Sequence, residues 1–236
     1  MMNRDRLYEE LYPARQDRLR IGILSSGAAV FSRIMRSFKS EHPGVHFEPK
    51  IEKSEIIYEL VLRGDLDMGY VTSYEEKPEL LFNGVSCRVF KEYELVLCMA
   101  RSNSLYEQLH LKDGMIQEEE YPLLKSGKLS VARLPMIVSR VMDDILPVMG
   151  LQGEKNYARG DNNTELFTSI LYLEDVYCFI PCSRLPDDIA QIRLPFHPKI
   201  CRVMISRKGS RLGPLQKQFG ELACGEIGKL PYYYDL

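Results

Sequence analysis

Residues 56–72 read IIYELVLRGDLDMGYVT, and Ile56, Ile57, Leu60 and Val61 recur at the spacing of one helical face. Gly64 follows where a helix ends in a left-handed residue, a conformation in which glycine alone escapes the Cβ penalty. Residues 66–71 then form a short apolar strand, closed by the polar pair Thr72-Ser73. Helix, glycine stop and strand make the second half of a βαβ unit. The same pattern precedes it. A strand at 19–24 leads through Ser25-Ser26-Gly27 into a helix carrying Val30, Phe31, Ile34, Met35 and Phe38. Pro43-Gly44 marks a turn, 45–51 alternates as a second strand, and Ser54 is placed to cap the helix that starts near Glu55. Ser25 or Ser26 is placed to cap the first helix. The order β-α-β-α-β predicts a parallel sheet with helices on its faces.

Beyond Ser73 the pattern predicts two extended segments, 85–90 and 93–100, and then an acidic, irregular stretch over 105–128 with Glu118-Glu119-Glu120 as a solvated face. A strand at 129–133, a loop at 134–136 and a helix over 137–149 stopped at Gly150 begin a second α/β unit. It continues with a strand at 157–159, a turn and cap cluster Asp161-Asn162-Asn163-Thr164, a helix over 165–173 and a strand at 176–180 ending at Pro181. A strand at 200–206 and a helix over 212–227, with Leu215, Phe219 and Leu222 inward, complete the chain. Residues 3–17 read as a short charged helix interrupted by Pro13, and Tyr232-Tyr233-Tyr234 as a tail.

Composition narrows the function classes. The 236 residues are 45% hydrophobic and 27% charged, the signature of a packed globular chain. A net charge of -2 argues against a broad basic face for nucleic acid. No run approaches the roughly 20 apolar residues that span a bilayer, and the first residues lack the apolar core of a signal peptide. The six cysteines sit among apolar neighbours and read as free buried thiols in a reducing cytoplasm. His42, His46, His110 and His197 lack metal-ligand spacing, and Cys178 and Cys182 do not form a CxxC pair. No GxSxG, Walker or GxGxxG pattern occurs, and Asp65 and Asp67 fit a turn as well as acid–base chemistry. Nothing here calls for an enzyme, a metal or a cofactor.

Four motifs in order carry a resemblance. Leu-Arg-Ile-Gly opens the first strand at Leu19; Phe38-Lys39-Ser40-Glu41-His42-Pro43-Gly44-Val45 forms an F…H-P-x-V turn; Leu62-Arg63-Gly64-Asp65-Leu66-Asp67 matches L-x-x-G-x-L-D; and Pro181 ends a strand. Over residues 19–226 the chain resembles the effector-binding domain of LysR-type transcriptional regulators. The resemblance implies an α/β, type 2 periplasmic-binding-protein-like fold: two α/β subdomains joined by two crossover strands, with crossings expected near Ala100 and Met204. Residues 18–100 and 204–230 would form the discontinuous first subdomain and 101–203 the second, with 1–17 a linker-helix remnant and 231–236 a tail. The chain departs from the family in two respects. Tyr172-Leu173-Glu174-Asp175-Val176-Tyr177 has no glycine-rich turn, and no winged helix-turn-helix precedes the domain. The chain is then either the sensing part of a regulator or a stand-alone sensor.

Ligands of α/β sheets sit at the carboxyl ends of strands, where helix N-termini favour anions. That rule and the resemblance together select Ser25, Ser26, Lys53, Ser54, Thr72 and Ser73 in the first subdomain. In the second they select Pro135, Met136 and Ile137, within 134–138, and Asn162, Asn163 and Thr164. Plain helix capping competes for each Ser and Thr, a solvated surface charge for Lys53, and core packing for Met136 and Ile137. The implied partners are a small, anionic organic effector, further copies of the chain as a homodimer or homotetramer, and DNA only through an absent N-terminal domain. The resemblance also implies pairing of the helix around Val30 to Phe38 with the partner's second subdomain. A solute-binding receptor of the same fold is the alternative, and an enzyme on this fold a third.

Overall fold

The computed structural model describes residues 17–73, 78, 82–132, 143–151, 157–160, 173, 175–182, 185–210 and 212–229. In chain order the elements are β1 (Arg18–Ile23), α1 (Ala28–Glu41), β2 (His46–Ile51), α2 (Ser54–Arg63), β3 (Met68–Ser73) and β4 (Val85–Ala100). Then come α3 (Ser104–Gln108), β5 (Lys128–Ala132), β6 (Tyr157–Gly160), β7 (Val176–Pro181), β8 (Ile189–Ile192), β9 (Lys199–Arg207) and α4 (Pro214–Gly228). Among these residues the strands run β2-β1-β3-β9-β4-β7-β5-β6, with β8 attached to β4. β1 lies parallel to β2 and β3, as the β-α-β-α-β order predicts. β9 returns antiparallel between β3 and β4.

The packing of α2 on this sheet is set by two glycines. Gly22 of β1 and Gly69 of β3 lie directly opposite each other in the ladder, and a Cβ on either would strike the side chain of Ile57, at 2.6 Å for Gly22. Ile57, fully buried, therefore fills a notch two residues wide. At the other end of α2, Gly64 takes φ 83° and its N–H returns to the carbonyls of Leu60 and Val61, as its place in the sequence predicts. The aspartate that closes L-x-x-G-x-L-D is structural. Asp67 accepts the Arg20 N–H at 2.9 Å and Arg20 Nη2 at 2.6 Å, tying the start of β3 to β1.

Apolar residues gather in three places. Leu19, Ile21, Phe31, Phe38, Tyr70 and Phe219 pack between the β1–β3 sheet and helices α1 and α4. Ile57, Val61, Val71, Val203 and Ile205 fill the opposite face beneath α2. Leu95, Leu97, Met99, Ile116, Leu124 and Phe179 form a separate core in the other half. β4 joins the halves: Val85 to Glu94 pair with β9, whereas Leu95 to Ala100 pair with β7 and β8.

Several local expectations are corrected. The segments 85–90 and 93–100 are one continuous strand of 16 residues, because a bulge between Val89 and Lys91 absorbs the break in alternation at Phe90. Residues 105–128 are less irregular than their composition suggests. They hold part of α3 and a 3-10 run over Glu118–Ser126. Glu120 is buried there, not solvated, and accepts the backbone N–H groups of His110 and Gln117. Neither Ser25 nor Ser26 caps α1. The chain tightens into a 3-10 turn over Ser25–Gly27, the Gly27 N–H bonds the Leu24 carbonyl, and Gly27 itself is the N-cap. Ser54 is the first residue of α2, not its cap, which is Lys53 with no side-chain cap bond. β8 has no counterpart in the sequence reading.

The helix at 3–16, the loop at 134–136, residues 137–142 of the following helix, the cluster 161–164, the helix at 165–172 and the tail lie outside the described residues. Residues 143–148 are helical, with Ile145 and Met149 buried.

Gly69→Ala is expected to destabilise the domain by about 1–3 kcal/mol, the cost of overpacking a tight site. In an Ile57→Ala background, which lacks the Cγ2 atom that the new Cβ would strike, Gly69→Ala should cost less than it does alone. Urea denaturation of these variants checks both statements.

Candidate functional site

Three strands, β1, β2 and β3, present their carboxyl ends on one side, where the 3-10 turn before α1 and the first turn of α2 begin. Ile57 lies one turn after Ser54, so its seating in the glycine notch brings Ser54 against the end of β3. Ser54 is buried, and its Oγ accepts the Thr72 N–H at 3.3 Å. Thr72 Oγ1 in turn accepts from Arg202 Nη1 at 3.0 Å. Arg202 stands opposite Thr72 in the β3–β9 ladder and is only 7% exposed. Three elements thus meet in one polar chain, Ser54–Thr72–Arg202.

The structure brings Ser54 and Thr72 together as part of one cluster. Ser73, fully buried, follows Thr72 on β3, where successive side chains take opposite faces. Ser25 and Lys53 are exposed at the ends of β1 and β2. Ser26 lies in the 3-10 turn. Pro135, Met136, Ile137, Asn162, Asn163 and Thr164 fall outside the described residues. Sequence reasoning missed Arg202. Its signal was a single charge inside the apolar strand ICRVMI, because a charged residue enters such a strand only where something satisfies it.

Next to Arg202 an open crevice of about 310 Å³, counting the space at its mouth, runs under α1 and the end of α4. Val30, Phe31, Tyr70, Phe90 and Ile227 give it apolar walls, and Arg202 is the charged residue among the described ones that line it. Burial holds the Tyr70 phenol well above its usual range, reinforced by Cys224 and opposed by Arg88, so this wall stays uncharged.

Among the described residues the remaining titratable groups do not form a second constellation. Among the described residues no three of His, Cys, Asp and Glu come together as metal ligands. His197 Nδ1 lies 2.7 Å from Glu94 Oε1, and His42 packs on Phe38 with ring centroids 4.4 Å apart. Cys98 and Cys178 face each other across β4 and β7, both buried. Burial raises both thiols, Cys98 with added repulsion from Cys178 and Cys182. Burial also pushes Cys224 up to about 11, against the pull of Arg88. Cys87 and Cys182 depart from the expectation of buried thiols: Cys87 is half-buried, and Cys182 is exposed one residue past the end of β7.

Residues 14–137 match the family described as "LysR substrate binding domain". The chain belongs to that family. The comparison with curated proteins found no match. Among solved structures, HinK, a LysR family transcriptional regulator from Pseudomonas aeruginosa, superposes with a TM-score of 0.69 at 10% identity, over 95% of this chain and 76% of that one. The BenM effector-binding domain with its effector benzoate gives 0.61 at 17% identity, over 87% and 90%. The Synechocystis CcmR regulatory domain in complex with 2-PG gives 0.62 at 12%, over 90% and 97%. The LysR effector-domain fold is of the type 2 periplasmic-binding-protein kind, and the α/β architecture found here matches it. Among the described residues no helix is long and apolar enough to cross a membrane.

The raised thiols and phenol make stability fall at alkaline pH. Below the unfolded cysteine value near 8.5 both states keep their protons and nothing is lost. Above it the unfolded chain releases protons that the folded chain retains, so unfolding becomes easier with each unit. For Cys224 the loss is complete as pH passes about 11. Denaturation midpoints measured from pH 8 to 10.5 should decline, and a Cys224→Ala variant should decline less.

Proposed function

We propose that this LysR-family domain senses a small organic anion in a cleft between its two α/β subdomains. Ser25, Ser26, Lys53, Ser54, Thr72 and Ser73 are the proposed contacts from the first subdomain, and Pro135, Met136, Ile137, Asn162, Asn163 and Thr164 those from the second. The observation that carries the reading is the Ser54–Thr72–Arg202 cluster at the carboxyl ends of parallel strands, the place where α/β sheets bind ligands. The starts of α1 and α2 beside it favour a carboxylate. Benzoate and 2-PG on structural neighbours support a small effector.

In this reading the boundary between subdomains falls at Glu94/Leu95 and Pro198/Lys199, where β4 exchanges β9 for β7 and β8 and where the Leu95 N–H bonds the Pro198 carbonyl. The crossings expected near Ala100 and Met204 lie further along the same two strands. A ligand that bridges both sides favours the closed arrangement. A coupling of about 1–3 kcal/mol suffices to pass that preference to a DNA-binding domain joined at the N-terminus. The working form is a cytoplasmic homodimer or homotetramer in which α1 meets the partner's second subdomain, and the domain performs no catalysis.

A thermal-shift screen of small organic acids tests the reading. A true effector at 100 times its Kd should add about 2.7 kcal/mol of stability. Thr72→Val and Ser54→Ala should each reduce that response at least threefold. An effector response unchanged in both variants would remove the cluster from the binding site.

A further inference from the structure

We propose that Glu94 and His197 form a latch across the two crossing segments. This one side-chain pair holds the turn before β9 in a conformation that its sequence disfavours, and it thereby sets how readily the subdomains flex. The proposal rests on the subdomain boundary read above and adds the contact that controls it. The backbone carries the first sign. His197 takes φ 45°, a left-handed conformation uncommon outside glycine. It also precedes Pro198, and a proline ring pushes the residue before it towards extended backbone. A conformation so disfavoured persists only where the structure around it holds it.

Among the described residues three hydrogen bonds hold this turn, and two of them come from the other crossing. The His197 N–H bonds the Leu194 carbonyl at 3.1 Å and closes the turn. His197 Nδ1 lies 2.7 Å from Glu94 Oε1, and the Leu95 N–H bonds the Pro198 carbonyl at 2.7 Å. Glu94 and Leu95 are the residues at which β4 leaves β9 for β7 and β8. The strained turn of one crossing is therefore fastened to the changeover of the other. Glu94 is itself anchored from both halves: it stands opposite Lys199 in the β4–β9 ladder, and its carbonyl accepts the Cys182 N–H at 2.6 Å. The imidazole is 51% exposed, so the pair can part without unpacking a core. A neighbouring ion pair, Lys199 Nζ with Glu92 Oε2 at 3.2 Å, lies wholly within the β4–β9 ladder and spans no boundary. It serves as the control.

The test is hydrogen exchange of single amides in the full chain, followed by NMR, because the amide beside the latch reports its opening. Leu95 is compared with Leu97, which is paired with β7 on one side and β8 on the other. In the native protein Leu95 should exchange faster than Leu97. Glu94→Ala should speed Leu95 at least threefold relative to Leu97. His197→Gly, which takes the left-handed turn without strain, should do the same, and it keeps the test open should Glu94→Ala fail to fold. The double variant should match either single one, because one contact breaks once. Glu92→Ala should leave the ratio unchanged. A native Leu95 that exchanges faster than Leu97 but does not respond to Glu94→Ala or His197→Gly would overturn the latch and leave the boundary standing, as would an equal response to Glu92→Ala. Leu95 exchanging no faster than Leu97 in the native protein and in every variant would overturn latch and boundary together.

Discussion

The seating of Ile57 between Gly22 and Gly69 is the contact on which the site depends. Two strands give up their side chains at the same rung of the ladder, and one β-branched side chain takes the space. The result is a helix held closer to the sheet than two ordinary residues would allow. Because α2 is rigid over its first turns, fixing Ile57 fixes Ser54, and the Ser54 hydroxyl can then meet a backbone amide 18 residues later in the chain. The geometry of a polar cluster is thus decided by an apolar contact one turn away.

Much of this was legible before any coordinates. The L-x-x-G-x-L-D turn encodes a local event, a helix stop in a left-handed residue, and Gly64 adopts that conformation. Parallel pairing of β1, β2 and β3 follows from alternation alone. The misreadings share a cause, which is that the deciding partner lies far away in sequence. A serine at a helix start looks like a cap, and only the approach of β3 turns Ser54 into an acceptor for Thr72. Glu120 looks solvated in an acidic run, until the His110 and Gln117 amides are found around its carboxylate. β8 is four residues long, and its pairing with β4 supplies what its own pattern lacks. Arg202 was visible as an anomaly in an apolar strand but had no local partner to explain it.

The cysteines illustrate how placement governs chemistry. Cys98 and Cys178 stand opposite one another, which in an exposed sheet would invite oxidation, yet burial keeps both protonated and away from solvent. Thiolate, not thiol, is the reactive form. Their proximity therefore contributes packing between β4 and β7. Cys182, four residues further along the chain, is exposed, yet partial burial and the nearby Glu94 raise its thiol as well.

The pairing of β4 with β9 along Val85 to Glu94 has a mechanical meaning. The two strands nearest the changeover form one hydrogen-bonded ribbon and not two independent tethers. Sliding one strand past the other breaks the ladder, whereas bending the ribbon across its width does not require that. Such a connection suppresses shear and leaves flexion as the soft coordinate. Any motion that keeps this ladder whole is then bending and not sliding.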